Sequence, residues 1–248
     1  MFKKIKKYLA SRRAAKLEKA AKLVKNAKAI REDRWAALEY LSELDDVHGA
    51  VTALLQRFEF SLEHGINDTR EKELALRGIV RHGDAAIAII QKQLASTTRI
   101  AWPIKALKAL GREDVVVESL RGALSFGDVA FDQSAVDKNY DILCYLRDYK
   151  LDGFVERLSH FLNDPDERVR FAAVELVIEQ TDSAIPKILE RFLIDASAEN
   201  RRLRQAVSRA FVEHKWPVTN PEIIQSGTFF PGVVLGKGNV LEQLQAQI

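Results

Sequence analysis

The sequence predicts an all-α fold, an α-solenoid (α-α superhelix) made of five to six stacked helix pairs. Glycine and proline are scarce, at 12 and 6 of 248 residues, which argues against a turn-rich β protein. Apolar residues follow helical spacing, with short breaks, from residue 33 to about residue 213. One pattern also recurs along this stretch at intervals of 30 to 38 residues, which is typical of stacked helix pairs.

Residues 1–30 are predicted to form a basic amphipathic helix that precedes the array. They hold eleven Lys and Arg against one acidic residue, whereas residues 31–215 hold 26 basic and 32 acidic residues. An apolar face beside clustered lysines is typical of helices that lie on anionic membranes. We therefore expect this helix to bind an anionic surface, foremost a membrane, through Phe2, Lys3, Lys4, Ile5, Lys6, Lys7, Tyr8, Arg12 and Arg13.

Three other interpretations of residues 1–30 stay open. The lysines suit nucleic-acid phosphates or an acidic protein partner, and a basic helix can also be no more than a solvated cap on the first repeat. No apolar segment of the kind found in secretory signals follows the first lysines. The longest apolar run, Ala85 to Ile90, is far shorter than a membrane span. We expect a cytoplasmic protein, peripheral on the inner face of a membrane.

The array, predicted to occupy residues 31–215, repeats an Asp that opens a helix and apolar residues three, six and ten positions later. The Asp residues are Asp84, Asp114, Asp152 and Asp182, and His48 takes this place in the first copy. The first helices of the pairs are predicted at residues 33–44, 69–81, 98–110, 134–148, 165–179 and 198–213. Asp164 is expected to cap the fifth of these helices, and Pro103 is expected to kink the third.

The sharpest copy of the pattern contains Asp164-Pro165, Val169-Arg170, Ala172-Ala173 and Leu176. With the recurrent Asp residues, it resembles the HEAT repeat family in its short bacterial, bilin-lyase-like form. The resemblance implies a solenoid whose second helices line a concave face and bind other macromolecules. It also implies that the recurrent Asp residues act as helix caps and as a ladder between repeats; His48 departs from this pattern.

The tail, residues 216–248, has three of the six prolines, four of the twelve glycines and almost no charge. Its apolar clusters favour a segment that packs back over the last repeat, because a disordered linker is poorer in apolar residues. The alternative is an exposed peptide that docks into a partner through Phe229, Phe230, Val233 and Leu235. A short helix is predicted over Val240 to Gln247.

The sequence presents no convergent catalytic site, and we predict neither catalytic residues, nor a cofactor, nor a metal. Cys144 is alone, and the five histidines lack the spacing of a helical metal site. Gly232 to Gly238 departs from the phosphate-binding P-loop, because three residues separate Gly232 from Gly236 and Gly238 follows Lys237.

The expected function is that of a non-catalytic scaffold or adaptor that binds a protein partner. The partner-binding candidates are Arg57, Lys92, Arg121, Arg157 and Arg191 on the second helices, with Phe229 and Phe230 in the tail. The alternative is a nucleic-acid-binding HEAT-like protein, including one of the alkylpurine DNA glycosylase type. The mixed charge of the second helices disfavours that alternative, because phosphate binding requires a consistently basic surface.

Overall fold

The computed structural model describes residues 2–127, 132–194, 197 and 200–244, and these residues are mostly helical. Two compact units divide the chain, Met1–Ala123 and Leu124–Ile248. The division falls inside the range 31–215, and the basic N-terminal helix packs within the first unit rather than apart from it.

The helices of the first unit stack in two sets, the even-numbered helices on one another and the odd-numbered helices on one another. In chain order the helices are α1 (Phe2–Val24), α2 (Arg31–Glu43), α3 (Val47–Leu55), α4 (Gly65–Val80), α5 (Ile87–Ser96), α6 (Ala101–Ala109) and α7 (Glu113–Ala123). A 3-10 turn, Gln56–Glu59, extends α3, and another, Gly83–Ala86, leads into α5. Helix α2 packs on α4 and α4 on α6, while α3 packs on α5 and α5 on α7. Each helix therefore contacts the second one along the chain.

In the second unit, long first helices also alternate along the chain with second helices, and the second helices are shorter than those of the first unit. Its helices are α8 (Gln133–Leu146), α9 (Val155–Leu158), α10 (Glu167–Ile178), α11 (Ile185–Leu189), α12 (Arg201–His214) and α13 (Pro221–Ser226). The 3-10 segments Ser159–Asn163 and Glu190–Leu193 extend α9 and α11. Helix α10 packs between α8 and α12.

Two expectations about helix starts are wrong. Asp166, not Asp164, caps α10, with its carboxylate accepting from the backbone N–H of Arg168 at 2.8 Å. Proline restricts the residue before it to extended backbone, so Asp164 stays outside the helix. Pro103 produces no kink, because α6 begins at Ala101 and the first-turn N–H groups of a helix have no partner to lose.

Side-chain bonds join segments that lie one repeat apart in the chain. Asp84 and Asp114 lie inside their helical segments rather than capping them, and both bind Arg112, at 3.2 and 3.1 Å. Other ion pairs span 28 to 36 residues: Arg81 with Asp45, Arg112 with Asp84, Arg147 with Glu175 and Arg168 with Asp137. Asp84 thus joins neighbouring helices through Arg112, whereas Asp114 binds Arg112 locally and Asp182 accepts from the backbone N–H of Ala184 just before α11.

The tail folds back on the second unit. Glu190 accepts from the backbone N–H groups of Thr219 and Asn220, at 2.9 and 3.2 Å, and Ile223 is buried. In place of the helix predicted over Val240 to Gln247, the chain forms strands β1 (Val233–Leu235) and β2 (Leu241–Gln243), paired antiparallel. Gly238 and Asn239 have φ of 70° and 60°, which reverses the chain into a hairpin instead of starting a helix. Residues 245–248 lie outside the described part of the chain.

Candidate functional site

Helix α1 has a buried half and an exposed half. Ala20 and Val24 are buried against α2 and α3, and Leu17 is partly covered. Every described side chain from Lys4 to Lys16 is exposed. We call residues 2–16 the arm. Because the buried half packs against the rest of the first unit, the arm continues the same helix with its described side chains exposed to solvent.

The arm exposes apolar and cationic groups together. Ile5, Tyr8 and Leu9 are 50%, 60% and 50% exposed, which is unusual for large apolar side chains so close together. The Arg12 guanidinium lies 5.8 Å from the centre of the Tyr8 ring. Among the described residues, no carboxylate lies within 4 Å of Lys4, Arg12 or Arg13. The side chains of the other four candidates lie outside the described residues: Phe2, Lys3, Lys6 and Lys7.

An acidic rim borders the base of the arm. A groove of about 780 Å³ separates Leu9 to Leu17 from the end of α2, and its far side carries Glu43, Asp45 and Asp46. The Lys16 ammonium lies 4.0 Å from the centre of the Tyr40 ring across this groove. Carboxylates repel anions, so the charge balance changes along the helix, from cationic in the arm to mixed beside the acidic rim.

Arg57 is not available to a partner, contrary to the expectation from its helical position. Its side chain is fully buried, as are those of Arg34 and Glu71. Arg34 donates from Nε and Nη2 to the two oxygens of Glu71, at 2.7 and 2.9 Å. Arg57 Nε donates to the same carboxylate at 2.7 Å. Arg57 thus helps hold α2, the end of α3 and α4 together.

Asp68 and Lys72 complete this buried network. Arg57 Nη2 and Lys72 Nζ donate to the two oxygens of Asp68, at 2.6 and 2.7 Å. Burial disfavours the charged form of Asp68, but the hydrogen bonds from Lys72 and Arg57 outweigh it and lower the pKa of that carboxyl. Three cations thus share two carboxylates below the surface.

The other partner-binding candidates are distributed over both units. Lys92 on α5 is exposed and Arg121 on α7 is half-buried, both in the first unit. In the second unit, exposed Arg157 lies over the rings of Phe126 and Phe154, at 4.5 and 5.2 Å. Exposed Arg191 donates to Asn163 Oδ1 at 2.8 Å.

The tail phenylalanines offer little surface for docking. Phe229 is only 9% exposed and Phe230 is half-buried, because the tail packs on the second unit. Phe229 is therefore a packing residue, which corrects its prediction as a partner contact.

Reactive chemistry is sparse in the described part of the chain. Burial raises the pKa of the Cys144 thiol, which makes it a poor nucleophile. The described residues contain no group of His, Cys, Asp and Glu arranged to hold a metal ion. No described helix has the length and apolarity to cross a membrane.

Comparisons with protein-family models, with curated proteins and with solved structures found no match.

Proposed function

We propose that the protein is a non-catalytic scaffold, an α-solenoid of five to six HEAT-like helix pairs that binds a protein partner on its second helices. Its arm recruits it to an anionic surface, the inner face of a membrane. The observation that carries this proposal is the exposure of Ile5, Tyr8 and Leu9 beside cations that have no carboxylate partner among the described residues.

The solenoid architecture is supported by the order of helix contacts in the first unit and by the position of α10 between α8 and α12 in the second. First helices pack on first helices (α2 on α4, α4 on α6) and second helices on second helices (α3 on α5, α5 on α7). Ion pairs one repeat apart, such as Arg112 with Asp84, add to the same arrangement. In repeat proteins, each unit contacts only its neighbours in this way, and the stacked helices leave an extended face for a partner.

A membrane fits the arm better than nucleic acid because of its apolar groups. Phosphate binding needs cations alone, whereas Ile5 and Leu9 gain free energy only where they leave water. Each cation close to an anionic membrane contributes about 1 kcal/mol. The acidic rim opposes this attraction beyond the arm, so the cations from Lys4 to Arg13 would contribute most of it.

Binding to vesicles tests the proposal. Full-length protein is expected to co-sediment with vesicles of anionic phosphatidylglycerol and phosphatidylcholine, and not with phosphatidylcholine alone. Replacing Lys4, Arg12 and Arg13 by Glu removes about 3 kcal/mol of attraction, so affinity should fall at least about 100-fold. The matched control reverses Lys19, Lys25 and Lys28, exposed cations of the same segment nearer the anchored end, and should retain most of the binding.

Substitution of the apolar side chains of the arm distinguishes a membrane from nucleic acid as the anionic surface. Ile5→Ser with Leu9→Ser should abolish vesicle binding and leave any binding to duplex DNA unchanged. Equal loss in the control reversal, or vesicle binding that survives Lys4, Arg12 and Arg13 reversal, contradicts membrane recruitment by the arm. Full-length variants are preferable to a chain that lacks residues 1–30, since that deletion would uncover the core that Ala20 and Val24 protect.

A further inference from the structure

Two arginine pairs occupy corresponding places in the two units. Leu54-Leu55-Gln56-Arg57-Phe58 is matched by Ile188-Leu189-Glu190-Arg191-Phe192, and in each case the arginine lies in the 3-10 extension of a second helix. The preceding first helices supply Arg34 and Arg170, each three residues before a buried alanine, Ala37 and Ala173. Arg34 with Arg57 therefore corresponds to Arg170 with Arg191.

The two first-helix arginines are anchored alike. Arg34 Nη1 donates to the backbone carbonyl of Ala29, five residues earlier, at 2.8 Å. Arg170 Nη1 donates to the carbonyl of Pro165, also five residues earlier, at 2.9 Å. Both guanidinium groups are thus oriented by the turn that precedes their helix.

The two pairs differ in their carboxylates. Arg34 and Arg57 share Glu71, and Arg57 also binds Asp68. Lys72, which precedes buried Ala75 by three residues, aligns α4 with α12, where Arg204 precedes buried Val207 by three. By this alignment Leu203 stands where Glu71 stands in the first unit, and Asn200 where Asp68 stands.

By this alignment, the second pair has no counterpart of Glu71 or Asp68 among the described residues. No carboxylate of the described residues lies within 4 Å of Arg170 or Arg191, and Arg170 Nε is buried without an acceptor among them. The adjacent Glu190 is occupied by Thr219 and Asn220.

A cavity takes the place of the missing carboxylates. It has a volume of about 680 Å³ and is lined by both arginines and by Asn200. Leu162, Phe192 and Ile194 add apolar walls. Among the described lining residues, Asp164 is the acidic side chain, and its Oδ1 accepts from the backbone N–H of Asp166. The described lining thus carries two guanidinium groups against one carboxylate, a net positive charge, and Asn163 and backbone carbonyls hold the guanidinium donors in place.

We propose that Arg170 and Arg191 form a binding site for a carboxylate or phosphate group that another molecule supplies, in the role that Glu71 plays for Arg34 and Arg57. A guanidinium group offers parallel N–H donors that fit either oxyanion. The apolar walls favour a ligand that carries its anionic group next to a short hydrocarbon portion. This site is independent of the arm and of membrane binding.

Titration with two small anions tests the site. Propionate reproduces the side chain of Glu71, and inorganic phosphate is the alternative source of oxyanion. Either is added to the full-length protein at constant ionic strength against chloride, and binding is followed through the Nε–Hε resonances of the arginines. Saturable shifts at Arg170 and Arg191 are expected, and the tighter of the two anions identifies the ligand chemistry.

Two variants and a control decide the outcome. Arg191→Gln should weaken binding by about tenfold or more, which is the loss of one charge-assisted hydrogen-bonding partner. Lys187→Gln, which removes an exposed cation from neighbouring α11, should leave binding unchanged. Asn200→Asp restores the counterpart of Asp68 and should also weaken binding by about tenfold, while raising the unfolding midpoint of the second unit.

Two results would overturn the proposal, and a third would overturn the correspondence between the arginine pairs. Absence of saturable shifts with both anions overturns the proposal. So does binding that Arg191→Gln and Lys187→Gln reduce equally, because that pattern reports diffuse attraction of anions to a cationic surface. Binding that is unaffected by Asn200→Asp overturns the equivalence between the two arginine pairs.

Discussion

Glu71→Gln is expected to destabilise the first unit severely. The substitution keeps the shape of the side chain and removes the charge that two guanidinium groups share. Arg34 is 3% exposed and Arg57 is 0% exposed, so water cannot replace the lost carboxylate. Breaking a buried ion pair by removing one partner costs about 3–5 kcal/mol. With a urea dependence of about 2 kcal/mol per molar, the unfolding midpoint should fall by about 2 M.

Tryptophan fluorescence during urea unfolding measures this effect on the first unit. Trp35 and Trp102 lie in the first unit and Trp216 in the second, so a Trp216→Phe background restricts the probe to the first unit. Trp102 stacks on Phe58, with ring centres 5.5 Å apart, and should respond when the neighbourhood of Arg57 opens.

Asp45→Asn is the matched control, because it breaks a pair of the same chemistry on the surface of the same unit. The side chains of Arg81 and Asp45 are 48% and 95% exposed, so the expected cost is below about 1 kcal/mol. A midpoint for Glu71→Gln that lies as close to wild type as that of Asp45→Asn would refute the conclusion that Glu71 compensates the two buried arginines.

Two further predictions concern the same unit. Gly78→Ala should lower the free energy of unfolding by about 1–3 kcal/mol, because the added Cβ would lie 2.8 Å from Leu54 Cδ1. Gly122→Ala is the control and should not destabilise the protein, because the space around Gly122 is open. Equal urea midpoints for the two variants would contradict this prediction. Asp68 has a lowered folded pKa, so its contribution is present above the unfolded value of about 3.9 and is lost as pH falls through the folded value. The urea midpoint should therefore decline below about pH 4 less steeply in Asp68→Asn than in wild type, and identical declines would exclude this role.

The sequence predicts the first helices well because their apolar spacing is regular. Helix α8 was expected at residues 134–148 and spans Gln133–Leu146, and α10 was expected at 165–179 and spans Glu167–Ile178. The second helices of the second unit are less predictable, since a short apolar run fits an α-helix and a 3-10 turn equally well. The hairpin depends on Gly238 and Asn239, whose positive φ angles turn the chain so that Leu241–Gln243 pairs with Val233–Leu235, although the spacing of Val240 to Gln247 permits a helix.

The candidate site is harder to predict because burial of a charge depends on distant residues. Periodicity places Arg57 on a polar face, yet its environment is set by Glu71, fourteen residues later, and by Arg34. One feature of the sequence could have indicated this burial. A cation recurs three residues before a buried side chain of the first helices, at Arg34, Lys72, Arg170 and Arg204. A cation that recurs at one register of the first helices indicates a fixed partner rather than solvent.

The ion pairs one repeat apart have a consequence for how the chain folds. Because partners such as Arg112 and Asp84 are separated by only 28 residues, each helix pair can find its contacts soon after it has been synthesised. Folding therefore needs no closure of very long loops, and proteins rich in near-neighbour contacts fold fast. On the ribosome, the first unit can assemble around Glu71 before the second unit has emerged.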